Sequence, residues 1–136
     1  MKNKLTIDLK EALYAVCRLG SKSEIPKWAT QGDFFSISKT EDELSVVCEE
    51  LQVPEGIRAE KGWRCFKVLG PLDFSLTGVM ASLANPLAEA KISVFTISTF
   101  DTDYLLVRKE NLEAAVKCLE SQGGHTILTV SAKLNE

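Results

Sequence analysis

The chain has 136 residues, a hydrophobic fraction of 45% and a formal net charge of −3. That length and apolar content fit one domain, or two small domains that each bury a core. The slight acidity, without a cluster of Lys or Arg, disfavours a nucleic-acid partner. No apolar run approaches the roughly 20 residues of a membrane-spanning helix, and the first residues do not resemble a signal peptide. We therefore expect a cytoplasmic protein that binds neither nucleic acid nor a membrane.

The four cysteines, Cys17, Cys48, Cys65 and Cys118, are far apart in the sequence and form no C-x-x-C pair. Each lies in an apolar run, which is typical of small buried thiols in a reducing cytoplasm. Their spacing does not match a metal site, so we expect neither a metal nor another cofactor. From the count alone, a disulfide stays possible.

The first third of the chain predicts strands around one short helix. Alternating apolar residues at Leu5–Leu9 fit either a strand or the start of a helix, and the apolar run Tyr14–Leu19 favours a strand. Ser23 and Pro26 predict the start of a short helix that reaches about Thr30.

The segment after a predicted strand at Phe34–Ser38 carries the signals of two structures. Thr40–Glu43 matches a helix capping box, and the apolar residues that follow fit one helical face. A second copy of the pattern favours a hairpin instead. Phe35–Glu50 aligns without a gap to Phe95–Glu110, 60 residues later, with five identities in sixteen positions. Because the later copy has strand formers around an acidic bend, we predict a duplicated β-hairpin and hence a duplicated module.

The second half shows a full alternation of strands and helices. Pro54 and Gly56 limit residues 53–61 to one helical turn at most, and Pro86 should kink or shorten the helix that contains it. In chain order the predicted elements are a strand at Trp63–Leu69, a helix capped by Asp73 or Ser75, strands at Ile92–Ser98 and Tyr104–Val107, a helix from Asn111 to Gly123, and a strand at His125–Val130.

This order, β-α-β-β-α-β, is that of a ferredoxin-like module. The first half repeats it with both helices shortened, and its last strand could come from Leu5–Leu9, from Trp63–Leu69 or from the C-terminal tail. We therefore predict an α+β fold of two ferredoxin-like modules packed together, the first at residues 1–62 and the second at residues 63–136.

Two kinds of polar group should meet at one edge of the second sheet. The start of its first helix offers main-chain N–H groups and the hydroxyls of Ser75 and Thr77, which suit a carboxylate. Gly78 would let a ligand approach this backbone closely. The acidic bend offers Asp101 and Asp103, which suit an ammonium group. Although each residue could serve only as a cap or a bend residue, together they predict a site for a free amino acid.

The sequence also resembles the ACT domain family, small ligand-sensing modules of ferredoxin-like fold. It is most similar to tandem ACT-like proteins related to aspartate kinase regulatory regions and to the cytosolic arginine sensor of animal cells. The motifs that carry the resemblance are FFSISKTEDELSVVCEE, GWRCFKVLGPLDFSLTGVMASLANPLAEA and ISVFTISTFDTDYLLV. It implies that an amino acid binds at a module interface through Ser75, Leu76, Thr77, Gly78 and Val79, with further contacts from Thr99, Phe100 and Asp103. One departure is Lys91, where such helices often end in Gly. A left-handed conformation there would cost about 1 kcal/mol.

From these observations we expect a non-catalytic regulatory module that binds an amino acid and forms a homodimer, edge to edge or through helices. Since no catalytic domain is attached, any regulated enzyme would be a separate chain. The alternatives are a dimeric scaffold without a ligand, an enzyme that uses His125, and an RNA-binding sheet that uses Trp63 and Phe66. No catalytic motif accompanies His125, and no basic residues surround the two aromatic residues.

Overall fold

A computed structural model describes residues 4–73 and 77–129 of the chain. Within those residues it contains seven strands and two α-helices, which confirms the predicted α+β class. The strands are β1 (Thr6–Leu19), β2 (Ser36–Lys39), β3 (Leu44–Glu49), β4 (Ala59–Val68), β5 (Val94–Ser98), β6 (Asp103–Arg108) and β7 (Thr126–Leu128). The α-helices are α1 (Val79–Glu89) and α2 (Leu112–Ser121), and short 3-10 helices lie at Lys27–Thr30, Glu50–Gln52 and Lys109–Asn111.

The chain divides into two compact units. Unit 1 comprises Met1–Glu11 and Arg64–Glu136, and unit 2 comprises Ala12–Trp63. In sequence, unit 2 is therefore an insertion in unit 1, and β1 and β4 each contribute residues to both units. The division of the sequence into family modules at residues 1–62 and 63–136 stays a prediction.

Unit 2 has the strand order β2-β3-β1-β4, which is the ferredoxin-like order with each helix reduced to a 3-10 turn. β1 and β3 pair antiparallel from Tyr14 opposite Glu49 to Leu19 opposite Leu44. The first residues of β4 supply the last strand, beside the bond from the Arg18 N–H to the Arg58 carbonyl (2.9 Å). The core of unit 2 consists of small and medium apolar side chains: Ala15, Cys17, Ala29, Leu44, Val46, Cys48 and Val53.

Unit 1 has the order β7-β1-β4-β6-β5, with α1 and α2 packed on the sheet. The start of β1 is an added strand, parallel to β7 with Thr6 opposite Thr126. On its other side the Leu69 N–H donates to the Thr6 carbonyl (2.9 Å). The ambiguous segment Leu5–Leu9 is therefore largely strand. The core is formed by Ile7, Leu9, Phe66, Val68, Val79, Leu83, Leu87, Ile92, Leu105, Val107, Ala115, Leu119 and Ile127.

The helix starts differ from the prediction. α1 begins at Val79 with Gly78 as its N-cap at φ 75°, so Asp73 is not the cap, and Ser75 lies outside the described residues. Pro86 lies inside α1, which continues to Glu89. Lys91 has a φ of 61°, the left-handed conformation considered above.

The first 3-10 helix begins at Lys27 after Pro26, and the Ser23 hydroxyl donates to the Glu24 carbonyl instead of capping it. Asn111 precedes α2 as predicted but makes no side-chain capping bond. The predicted strand at Trp63–Leu69 begins four residues earlier, at Ala59.

The duplicated hairpin is present, but its two copies match at a spacing of 59 residues instead of 60. In the first copy Lys39 pairs with Leu44, and in the second Ser98 pairs with Asp103. Thr40 and Thr99 then begin equivalent four-residue turns. The Thr40 N–H donates to Glu43 O (2.9 Å) and the Thr99 N–H to Thr102 O (2.8 Å). The gap-free alignment is therefore wrong by one residue, a slip that exchanges the two faces of a strand.

Candidate functional site

A cleft of about 140 Å³ opens in unit 1 where three segments meet: the loop after β4, the start of α1 and the turn between β5 and β6. It is lined by Leu72, Asp73, Val79, Thr99, Phe100, Asp101, Thr102 and Asp103. The expected juxtaposition of the helix start and the acidic bend is thus present in the fold.

The turn between β5 and β6 is held by its own hydroxyl groups. The Thr99 hydroxyl donates to Thr102 O (3.0 Å) and accepts a bond from the Thr102 N–H (3.3 Å). The Ser98 hydroxyl donates to Oδ1 of Asp103 (2.6 Å). One oxygen of Asp103 is therefore already engaged and fixed in position, whereas Asp101 is exposed.

The loop after β4 is tied to this turn by two hydrogen bonds. The Leu72 N–H donates to the Asp101 carbonyl (2.7 Å), and the buried Thr102 hydroxyl donates to the Val68 carbonyl (2.6 Å). Gly70 makes the approach possible. A Cβ atom there would lie 2.9 Å from Leu72 N and 3.0 Å from Asp101 O. The Gly70-Pro71 peptide bond is cis.

The third wall is the start of α1. The Ser82 N–H donates to the Gly78 carbonyl (2.9 Å), which closes the first helical turn. Nothing would lie within 4 Å of a Cβ atom on Gly78, so its positive φ, and not crowding, is what favours glycine at this position. Val79 is buried against the core and also lines the cleft.

The structure thus brings together five of the nine predicted site residues: Val79, Thr99, Phe100, Asp101 and Asp103. Thr77 and Gly78 directly precede Val79 and are exposed, but they do not line the cleft. Ser75 and Leu76 lie outside the described residues. The role of all nine in binding a ligand stays a prediction.

Three lining residues, Leu72, Asp73 and Thr102, are absent from the predicted site residues, although the predicted helix start includes Asp73 as a possible cap. A signal for the first two was available, because Gly70-Pro71 after a buried strand predicts a tight turn that redirects the next residues. No local sequence pattern indicates the role of Thr102, because its hydroxyl donates to a carbonyl 34 residues earlier in the chain.

The lining of the cleft is acidic. Among the described residues, the lining includes the acidic residues Asp73, Asp101 and Asp103 and no Lys, Arg or His. Next to the turn, burial raises the pKa of the Tyr104 hydroxyl, and negative charge on Cys65 and Asp101 acts in the same direction. Phe100 adds an apolar face that is 78% exposed. These groups can receive a cation together with a flat or apolar surface.

The residues that would serve the alternative functions, an enzyme and an RNA-binding protein, are buried in the fold. His125 is buried, its Nδ1 accepts a bond from the Leu5 N–H (3.1 Å), and its Nε2 lies 3.1 Å from the Ser82 carbonyl. Trp63 and Phe66 are buried, so they offer no stacking surface for RNA bases. All four cysteines are free thiols, and Cys118 is partly exposed.

Within residues 4–73 and 77–129, no three metal-ligating side chains lie together as a site for an ion. The helices in this described part of the chain are also too short to cross a membrane.

Comparisons with known proteins agree with this architecture. A model of the ACT domain matches residues 58–121, and a second family model, for an N-terminal domain, matches residues 12–56. The human protein CASTOR3P is 32% identical over 118 residues, which cover 77% of this chain and 71% of that protein. The bovine cytosolic arginine sensor for mTORC1 subunit 1 is 32% identical over 95 residues, and the match covers 64% of this chain and 29% of that sensor.

Two solved structures extend the comparison. A protein from Agrobacterium tumefaciens superposes with a TM-score of 0.88 at 39% identity, over 93% of this chain and 94% of that one. The regulatory subunit of aspartate kinase from Thermus flavus superposes with a TM-score of 0.61 at 14% identity, over 90% of this chain and 99% of that one. At that identity the second likeness concerns the fold alone.

Proposed function

The chain belongs to the ACT domain family, and on that premise we propose that it is a regulatory module that binds a free amino acid in the cleft of unit 1. One observation carries the proposal: Val79, the first residue of α1, and three acidic residues line the same cleft. The first N–H groups of a helix have no acceptor within the helix and attract a carboxylate. Asp101 and Asp103 supply acceptors for the ammonium group.

The charge of the cleft favours a basic amino acid. Three carboxylates exceed what one α-ammonium group needs, so the third can face a second cation on the ligand side chain. An acidic amino acid would place like charges together. Arginine is the first candidate, since its guanidinium group can also stack on the exposed ring of Phe100. The bovine relative is named as an arginine sensor, which agrees with this choice.

The proposed partners follow from the same premise. We propose that the module works as a homodimer in the cytoplasm and transmits ligand binding to a separate enzyme or complex, without catalysis of its own. The alternative is a dimeric scaffold that binds no ligand.

Thermal unfolding with a panel of amino acids tests the proposal. A ligand at about 100 times its Kd stabilises the protein by about 2.7 kcal/mol, which should raise Tm by several degrees. We expect arginine or lysine to give the largest shift, and aspartate and glutamate to give none. No shift with any amino acid at millimolar concentration would favour the scaffold instead.

A matched pair of variants separates the cleft from general charge effects. Asp101→Asn removes a carboxylate from the cleft, whereas Asp42→Asn changes the equivalent residue of the other hairpin turn. By isothermal titration calorimetry, the first variant should weaken ligand binding about tenfold or more, and the second should leave it unchanged. Equal effects of the two variants would contradict the proposed site.

A further inference from the structure

Ser98 and Asp103 form a polar pair where the hairpin between β5 and β6 meets its turn. The two residues lie directly opposite each other, and the Ser98 hydroxyl donates to Oδ1 of Asp103 (2.6 Å). The next pair toward the turn is hydrogen-bonded, since the Thr99 N–H donates to Thr102 O. Hydrogen-bonded and non-hydrogen-bonded pairs alternate in an antiparallel ladder, and side chains lie closer together in the second kind. The contact between Ser98 and Asp103 therefore follows from the strand register.

Asp103 lies on the helix-covered face of the sheet of unit 1. Side chains alternate between the two faces of a strand, and Leu105 and Val107, which follow on the same face of β6, belong to the core beneath the helices. Asp103 is half-buried and lines the cleft together with Val79, the first residue of α1. Ser98 is exposed and does not line the cleft itself. Any influence of Ser98 on a ligand would therefore pass through Asp103.

The bond from Ser98 fixes the orientation of a group that otherwise rotates easily. The last side-chain torsion of an aspartate has a broad minimum, so a carboxylate without a partner samples many orientations. With Oδ1 of Asp103 held by the Ser98 hydroxyl, the direction of Oδ2 is also set, because the two oxygens share one plane. A group that is ordered before a ligand arrives loses less conformational entropy on binding. Asp103 is thus a prepared acceptor in the wall of the cleft.

The other hairpin shows that the turn does not require this pair. At the spacing of 59 residues, Ser98 corresponds to Lys39 and Asp103 to Leu44. Leu44 is fully buried in the core of unit 2, and Lys39 is exposed. The turn that begins at Thr40 nevertheless closes with the same N–H···O bond as the turn of unit 1. The hydroxyl–carboxylate pair is therefore an addition to the copy of the hairpin that lines the cleft.

We propose that Ser98 is a positioning residue of the cleft, whose hydroxyl holds Asp103 ready to accept a hydrogen bond from a cationic N–H group of the bound amino acid. Oδ2 of Asp103 accepts this bond, which is charge-assisted and therefore strong. Ser98 acts through the orientation of Asp103 and makes no contact with the ligand. This role rests on the proposed amino-acid function, and it makes the affinity for the ligand depend on a hydroxyl group outside the cleft.

Two variants of nearly equal shape test this role. Ser98→Thr keeps the hydroxyl group and Ser98→Val replaces it with a methyl group, while both side chains are β-branched and suit a strand. By isothermal titration calorimetry with arginine as the probe, Ser98→Thr should bind as tightly as the wild type. Ser98→Val should bind about three- to tenfold more weakly, because a free side chain must then be ordered on binding. Equal affinities of the two variants would overturn the positioning role.

Two further measurements separate positioning from folding and from direct contact. Thermal unfolding should give Ser98→Thr and Ser98→Val a similar Tm. A Ser98→Val protein that lost stability but kept its affinity for arginine would show a structural role only and would overturn the proposal. Asp103→Ala removes the acceptor itself and should weaken binding more than Ser98→Val does. The reverse order would mean that Ser98 does not act through Asp103.

A control in the other hairpin and the wild-type protein complete the test. Ser38→Val makes the same change at an exposed serine of β2 and should leave the affinity for arginine unchanged. A comparable loss in that variant would overturn the role of Ser98. If the wild type binds no amino acid, the proposed function fails and the role of Ser98 fails with it. If the wild type binds arginine and the Thr and Val variants bind it equally, only the role of Ser98 is refuted.

Discussion

The Thr102 hydroxyl donates a 2.6 Å hydrogen bond to the Val68 carbonyl, across 34 residues of sequence. Thr102 is only 5% exposed, and it lies in the turn that carries the acidic side chains of the cleft. Together with the bond from the Leu72 N–H to the Asp101 carbonyl, it ties the turn between β5 and β6 to the end of β4 and to the loop that follows. The position of Asp101 and Asp103 therefore depends on a side chain that faces away from solvent.

Replacing Thr102 with Val should destabilise the protein by about 1–2 kcal/mol, because the buried Val68 carbonyl loses its donor while the shape of the side chain is kept. Thr102→Ser retains the hydroxyl and serves as the control. Urea unfolding measures both variants. If Thr102→Val and Thr102→Ser are equally stable, the loss comes from packing and not from the hydrogen bond.

Gly70 allows the loop after β4 to approach the turn closely. In Gly70→Ala the new methyl group would lie 2.9 Å and 3.0 Å from main-chain atoms of Leu72 and Asp101. Neither atom can move alone, so we expect a loss of about 1–3 kcal/mol and a disturbed cleft. Gly20→Ala is the matched control, since nothing lies within 4 Å of that position. A Gly70→Ala protein as stable as Gly20→Ala would show that the loop can shift without cost.

The two hairpins show which features of this fold the sequence predicts and which it does not. Repetition and β-branched residues correctly predicted two hairpins, against a convincing capping-box signal at Thr40. The alignment at a spacing of 60, however, rests on identities such as Val47 with Val107. In the structure Val107 belongs to the core of unit 1, and its equivalent at a spacing of 59, Cys48, belongs to the core of unit 2, whereas Val47 is not part of that core cluster. Which face a strand residue occupies is set by the packed sheet, and identities alone do not report it.

The candidate site could be predicted only in part, because some of its contacts join residues that are distant in the sequence. The acidic bend and the helix start are local patterns, and the ferredoxin-like order brings both to one edge. The start of α1 at Val79 depended on the left-handed Gly78, which competes with the capping signals of Asp73 and Ser75. The sequence does not indicate the structural roles of Thr102 and His125, because their hydrogen-bond partners are 34 and 120 residues away.

His125 joins Leu5, the residue before β1, to α1. Its ring accepts a bond from the Leu5 N–H, and Nε2 is placed to donate to the Ser82 carbonyl, each at 3.1 Å. His125→Ala should cost about 2–4 kcal/mol, through the lost ring volume and two unsatisfied main-chain groups. His125→Gln, which keeps one hydrogen-bond acceptor and one donor, should recover part of the lost stability. Unfolding in urea at neutral pH gives the values, and an unchanged midpoint for His125→Ala would refute the bridging role.

Cys65 should make the protein sensitive to alkaline pH. Burial raises the pKa of its thiol from 9.0 to about 12; Lys10 opposes this shift and Asp8 reinforces it. Above pH 9 the unfolded chain releases this proton while the folded chain keeps it, so the free energy of unfolding falls as pH rises. One such group contributes a slope of about 1.4 kcal/mol per pH unit. Below pH 9 both states hold the proton, and the contribution to stability is present in full.

The comparison of wild type with Cys65→Ala isolates the contribution of Cys65, including its effect on the pKa of Tyr104, because the raised pKa of Cys48 acts equally in both proteins. Urea unfolding at several pH values between about 7 and about 11 should show a shallower alkaline loss of stability in the variant. The variant will also be less stable at neutral pH, since it leaves a small cavity, so the slopes and not the absolute values are compared. Parallel slopes above pH 9 would mean that the thiol ionises at its ordinary pKa in the folded protein.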